Sequence, residues 1–247
     1  MIKVLAAFNR KPGWSVEEFL CHYRERHAPL VAGTAGFTRH CRRYAQNYPE
    51  LRLNSRPEPH LARDAISEMW FDSIEEMGAT YAAPDYLERA RPDEHRFADF
   101  GSAMVYVCEE HEFKRPADSV EPDKHWAHLP RVKLFVFYSA STASGATIWR
   151  TARVHGATER MDTDVAQLIR GHVFSRRLLG AAADLPSQEM DATCGIDEFL
   201  FDNTNDALPF MQYFLGRDGF AAQMNTDYCV AISGVFLARS HLVFSRD

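Results

Sequence analysis

The chain has 247 residues, of which 46% are hydrophobic, 25% charged and 12% aromatic, the fractions of an ordinary globular protein. That apolar content excludes disorder over most of the length, and a net charge of −6 argues against the basic stripe of a nucleic-acid binder. No run of about 18 apolar residues occurs, so no transmembrane helix is expected. The first residues lack the apolar stretch and cleavage site of a signal peptide. Five widely spaced cysteines with no CxxC pair read as reduced, cytoplasmic thiols. The length suits one large domain or two small ones.

Residues 2–9 predict the first strand, and Lys11-Pro-Gly-Trp14 turns the chain. Ser15-Val-Glu-Glu18 predicts a capping box, in which the serine oxygen takes an orphan helix N–H and Glu18 reaches back. The helix that follows places Val16, Phe19, Leu20, Tyr23 and His27 on one face at three- and four-residue steps. A turn is expected at Pro29, because proline disfavours helical geometry in the residue before it, and Gly33-Thr-Ala-Gly36 reads as a helix-ending turn. Arg42 to Tyr48 alternates as a strand, residues 49–63 read as a loop, and Ala65 to Asp72 is the third strand. Ser73-Ile-Glu-Glu76 opens a second helix, and residues 101–113 form the last strand.

The pattern then returns 130 residues later. Glu68-Met-Trp-Phe-Asp72 recurs as Glu198-Phe-Leu-Phe-Asp202, Lys3–Phe8 as Lys133–Tyr138, and Val105–His111 as Val235–His241; Arg43-Tyr-Ala45 faces Val173-Phe-Ser175. A constant offset across four apolar segments points to tandem duplication. Residues 114–130, with three prolines, read as the connector. Each copy, 1–113 and 131–247, has the order β-α-β-β-α-β of a ferredoxin-like unit. Two such α+β units bury the sheet faces that one alone leaves open.

The first half resembles the EthD family of dimeric α+β barrel proteins. The residues that carry the likeness are Arg10-Lys-Pro-Gly13, Ser15-Val-Glu-Glu-Phe19, His27-Ala-Pro-Leu30, Tyr44-Ala-Gln-Asn47, Glu68-Met-Trp-Phe-Asp-Ser73 and Asp93-Glu-His-Arg-Phe97. The second half looks like a diverged copy, with Ala157, Phe174 and Arg177 at the places of His27, Tyr44 and Asn47. The resemblance implies two ferredoxin-like units packed as an intramolecular dimeric α+β barrel. It associates the chain with breakdown of ethers and xenobiotics, and with dehydratases or decarboxylases of aromatic polyketide pathways. Relatives in the wider superfamily include lactone isomerases, cofactor-free monooxygenases and haem peroxidases.

Among the candidate residues, His27 closes the apolar stripe of the first helix. An imidazole in a half-dry cleft moves protons near neutral pH, whereas a core histidine would only brace the turn at Pro29. Tyr44 is the second catalytic candidate, and its alternative is a core aromatic. Tyr23, His40, Asn47, Glu68, Trp70 and His95 are candidates for substrate contact. Glu68 lies in an apolar strand and recurs as Glu198, which favours a structural pair, with an arginine across the sheet, over chemistry. His125-Trp-Ala-His128 lies in the connector, and no HExxH or Cys/His cluster supports a metal. No nucleotide fingerprint and no GxSxG elbow occur.

The expected function is a cofactor-independent lyase, a dehydratase or decarboxylase, acting on a small aromatic or hydrophobic oxygenated compound. A non-catalytic accessory protein of an oxygenase system and a cofactor-free or haem oxygenase are the alternatives. The expected partner is a small molecule, with neither nucleic acid nor membrane, and pairing into a homodimer is left open.

Overall fold

The computed structural model describes residues 1–50, 61–114, 132–141, 146, 163–178, 193–216 and 230–246. The connector, apart from Lys114, lies outside them, as do Ala157 and the 51–60 part of the expected loop.

The first half runs β1 (Ile2–Arg10), α1 (Val16–His22), a π-helical turn (Tyr23–His27), α2 (Ala28–Ala32), α3 (Ala35–His40), β2 (Cys41–Pro49) and β3 (Ala65–Phe71). It continues with α4 (Ile74–Ala82), a second π-helical turn (Tyr86–Ala90), α5 (Arg91–Phe97) and β4 (Ala98–Lys114). The second half holds β5 (Val132–Ala140), α6 (Thr163–Ala166), β6 (Gly171–Arg177), β7 (Thr193–Phe201), α7 (Thr204–Leu215) and β8 (Val230–Ser245). Both halves of the Ser15–Glu18 capping box form, and Ser73 accepts from the Glu76 N–H at the start of α4. These bonds satisfy donors that each helix would otherwise leave open.

The eight strands close one antiparallel barrel in the order β1-β3-β2-β8-β5-β7-β6-β4. Read from β4, this is β4-β1-β3-β2 followed by β8-β5-β7-β6, so each half contributes the same strand order. The halves meet edge to edge at two seams, β2–β8 and β4–β6. Closure leaves no exposed sheet edge. Pairings repeat at the 130-residue offset: Val4 lies opposite Met69 and Val107, and Leu134 opposite Phe199 and Leu237.

The offset fails at β6. Tyr44 pairs with Met69, but Phe199, the counterpart of Met69, pairs with His172 rather than Phe174. The register of β6 is therefore displaced by two residues. His172 replaces Tyr44, Phe174 replaces Gln46, and Ser175 replaces Asn47. The expected substitutions of Tyr44 by Phe174 and Asn47 by Arg177 are corrected accordingly.

Successive strand residues face opposite sides, and here both sides are buried; all seven residues of β3 are. The inner side fills the barrel with Leu5, Ile66, Tyr106, Phe135, Phe137 and Phe236. The outer side of the second half packs Phe199 and Phe201 against Phe210 and Phe214 of α7. Ring centroids there are 4.7–5.3 Å apart (Phe199–Phe210 4.7 Å, Phe199–Phe214 5.3 Å, Phe201–Phe210 5.3 Å). The outer side of the first half is hollow.

Candidate active site

A cavity of ≈ 560 Å³ lies between the outer face of the first-half sheet and its helices, within the size range of small-molecule sites. Phe8, Met69, Met77, Tyr81 and Phe97 give it an apolar wall. The polar groups on it are few: Tyr23, His27, Tyr44, Ser67, Glu94 and Arg91 among them.

The two π-helical turns aim several of these groups. Each is followed within two residues by a proline, Pro29 in α2 and Pro92 in α5. Proline has no N–H, and its ring clashes with the carbonyl four residues back. The helix does not break at Pro29 as expected; Ala28, before the proline, keeps helical angles of φ −57° and ψ −50°. Instead the N–H of Ala28 reaches five residues back to the Tyr23 carbonyl, and the N–H of Arg91 does the same to Tyr86. The extra residue in each turn is accommodated as a π-bulge, a device common at functional sites. Tyr23 and Tyr86 both line the cavity as a result.

His27 is 4% exposed and stands on the cavity wall. Its Nδ1 is 3.0 Å from Asp93 Oδ2, and Phe97 packs on its ring at 4.9 Å. His22 Nε2 lies 2.9 Å from the other Asp93 oxygen. Burial disfavours the imidazolium and lowers the His27 pKa, an effect only partly offset by the Asp93 carboxylate. Burial alone would raise the Asp93 pKa, but the hydrogen bonds it receives from His27 and His22 help hold it low. At neutral pH the pair is thus a neutral imidazole donating Nδ1–H to a carboxylate, with Nε2 left as a base.

Glu94, the next residue, has the opposite environment. Burial pushes its carboxyl up to about 7, against the lowering effect of the Tyr86 hydroxyl. Tyr86 Oη lies 3.0 Å from both carboxyl oxygens. Adjacent carboxyls with separated pKa values suit one to remain ionised and the other to carry a proton. Tyr23 Oη is 2.5 Å from Ser67 Oγ, and Tyr44 accepts from Gln46 Nε2 at 2.9 Å.

Of the residues singled out from the sequence, the structure brings Tyr23, His27 and Tyr44 together on this cavity. It does not bring Asn47, Glu68 and Trp70 there. These point into the barrel, because they occupy the alternate positions of β2 and β3. Glu68 bonds Lys3 at 2.6 Å and Lys133 at 2.7 Å, and Asn47 donates to it at 2.7 Å. Lys3 also reaches Glu198 at 2.5 Å, so the buried cluster ties the two halves. Burial would raise the Glu68 pKa, but the two lysines hold it far below the usual carboxylate range. Trp70 donates to Glu110 at 2.8 Å. His40 pairs with Glu76 at 2.6 Å on the half-exposed rim of α3. His95 stacks on Phe100 at 4.4 Å behind the cavity wall and does not line it.

Ser67, Asp93 and Glu94 were not expected at the site. Asp93 and Glu94 read as a solvated helix start; the signal that was available is the spacing Tyr-x5-Pro, present as Tyr23–Pro29 and again as Tyr86–Pro92. The second half holds a different polar group at the equivalent outer positions. There His172 Nε2 is 2.9 Å from Asp197, which also accepts from Tyr138 at 2.7 Å. Among the described residues, no cluster of three or more His, Cys, Asp or Glu is arranged to hold a metal ion. No described helix is long and apolar enough to cross a membrane.

Residues 11–101 match the EthD domain. Among solved structures, the chain is similar to an anthrone oxidase-like protein at 12% identity and a TM-score of 0.61, covering 99% of this chain and 92% of that one. It is also similar to the encapsulated DyP-type peroxidase from Mycobacterium smegmatis, at 10% identity and a TM-score of 0.52, covering 98% and 93%. Both likenesses are of fold. No curated protein matches the sequence.

Proposed function

With residues 11–101 being an EthD domain, we propose that the protein is a cofactor-independent lyase, of dehydratase or decarboxylase type. Its substrate is a small aromatic or hydrophobic oxygenated compound held in the first-half cavity. The observation that carries this reading is the pairing of His27, on the wall of a largely apolar cavity, with Asp93 behind it. For a β-hydroxy ketone, His27 Nε2 takes the proton from the carbon beside the carbonyl. The electron pair moves onto the carbonyl oxygen as an enolate, then returns to form the C=C bond. Hydroxide leaves with the proton of Glu94 as water. The base and the acid are matched to this task because burial lowers the His27 pKa and pushes Glu94 up to about 7, where a share of it carries a proton near neutral pH. As part of the same reading, residues 1–113 and 131–247 are two tandem ferredoxin-like units joined by 114–130.

The test is incubation with aromatic β-hydroxy ketones and aromatic β-keto acids with oxygen excluded, followed by mass spectrometry. Loss of water or of carbon dioxide supports the lyase; retention without conversion would make the protein a carrier. One observation favours a second reading, the likeness to an anthrone oxidase-like protein. The same deprotonation yields a carbanion that dioxygen can oxidise. A product that forms only in air, carrying one added oxygen and two fewer hydrogens, with water as the other product, would select it.

A haem, implied by peroxidases of this superfamily, does not suit the residues present. His27 is wedged against Phe97 and Tyr23 at centroid distances of 4.9 and 5.9 Å. Beside it the wall carries the buried carboxyl of Glu94, with Arg91 as the cation available to face two propionates. No step is therefore derived through it.

A further inference from the structure

The polar end of the cavity has a direction set by hydrogen-bond arithmetic. Gln46 is fully buried, and both hydrogens of its Nε2 are spent, one on the Tyr23 carbonyl at 3.0 Å and one on the Tyr44 hydroxyl at 2.9 Å. Its Oε1 accepts from the Tyr48 hydroxyl. The amide cannot be turned over, because a backbone carbonyl only accepts and would then face Oε1. Tyr44 therefore receives a hydrogen bond, and its own hydrogen is directed elsewhere.

Tyr23 and Ser67 stand 2.5 Å apart, and one of their two hydrogens is spent between them. The Tyr44 hydroxyl is itself in hydrogen-bond contact with Tyr23 and Ser67, so its hydrogen is taken up there and the three hydroxyls keep one hydrogen beyond those bonds. All three residues line the cavity. A donor left without an acceptor is costly, so the remaining hydrogen favours a ligand atom that accepts.

We propose that Tyr23, Tyr44 and Ser67 form the seat of a substrate oxygen that accepts a hydrogen bond from this hydroxyl cluster, a ketone carbonyl or its enolate, with Gln46 as a positioning residue that fixes the direction of donation. The inference rests on the reading that the cavity binds substrate, and it narrows the substrate class to aromatic ketones. Burial pushes the Tyr44 hydroxyl up to about 12 and raises Tyr23 as well. Both phenols therefore keep the hydrogens that the seat requires.

The probes are 1-tetralone and tetralin, which share a bicyclic skeleton and differ in the carbonyl. Calorimetric titration of the full chain should show a preference for the ketone, and the bound carbonyl stretch should be red-shifted from its position in an apolar solvent. Gln46→Glu replaces the donor facing Tyr44 by an acceptor and should lower the ketone-to-hydrocarbon affinity ratio about tenfold, with tetralin binding unchanged. Tyr44→Phe serves as the second variant should Gln46→Glu fail to fold, with the same fall expected and the carbonyl stretch moving back.

An unchanged ratio in Tyr44→Phe and in Ser67→Ala would overturn the seat, as would the same carbonyl stretch in protein and apolar solvent. Binding of neither probe would overturn both the seat and the cavity reading. A ketone preference in a protein that converts no β-hydroxy ketone leaves the seat standing and overturns only the lyase. Dehydration with no ketone preference overturns only the seat.

Discussion

At the scale of single residues, the site depends on two ionisable groups shifted in opposite directions. His27→Gln keeps a hydrogen-bonding side chain but no proton acceptor near neutral pKa. Turnover should fall by about 10²–10⁴-fold, while the thermal midpoint moves far less; full turnover in a folded variant would remove His27 from the chemistry. Glu94 has a folded pKa of about 7, above its unfolded value near 4.5. Its protonated form is the one the fold favours, so its contribution is fully present below the unfolded pKa and is lost as pH rises through about 7. Glu94→Gln should therefore raise stability at pH 8 by on the order of 1–3 kcal/mol, with little change at pH 4, checked by urea unfolding at both. The same variant should lose the alkaline limb of the rate profile. His27, whose folded pKa is lowered, works the other way: its contribution is present above its unfolded pKa and lost as pH falls through the folded value. Part of this was legible in the sequence. Tyr23 and His27 share a helix face by simple spacing. Asp93 was not legible as their partner, because 66 residues separate it from His27 and only tertiary packing joins them. Strand alternation separates Tyr44 from Asn47, but it does not say which side is the cavity when both sides are buried.

At the scale of elements, the decisive pieces are the π-helical turns, each preceding a proline. Pro29→Ala restores the missing N–H and removes the clash that the bulge relieves. An unconstrained helix gains from that exchange, so the thermal midpoint should hold or rise. Tyr23 and His27 would be displaced as the turn tightens, and turnover should drop about tenfold or more. Paired scanning calorimetry and initial rates check both halves of this expectation; unchanged turnover would separate the bulge from the site. The sequence located the Ser15–Glu18 capping box, the Ser73 cap and most strand boundaries, because those signals are local. It placed a break where the structure has a bulge, since the same proline permits either answer. It also missed the displacement of β6. A slip of two residues keeps every side chain on its original face, so the hydrophobic pattern reads the same in both registers.

At the scale of the whole molecule, the barrel is held by its two seams and by the lysine–glutamate cluster inside it. Lys3→Met leaves Glu68, Glu198 and Glu110 with one lysine fewer in a buried setting. Removing one member of such a group costs about 3–5 kcal/mol. Urea unfolding should show that loss, and Lys3→Met combined with Glu198→Gln should recover part of it. The cavity lies on the opposite side of the sheet, so turnover below the melting point should be spared. Residues 1–114 made alone would present β2 and β4 as open edges, and size-exclusion chromatography should find them paired or aggregated; a stable monomer would show that the seams are dispensable. The overall order of strands was legible from the 130-residue repeat, but closure into one barrel rests on edges that periodicity does not describe. The β2–β8 seam also sets a schedule. The half that holds the cavity is complete at Lys114, yet its edge strand waits for Val230–Ser245. At roughly 5–20 residues per second on the ribosome, that wait is on the order of ten seconds. For that interval the nascent chain carries a strand, β2, whose barrel partner has yet to be made, which makes the period of synthesis, rather than the finished protein, its most exposed state.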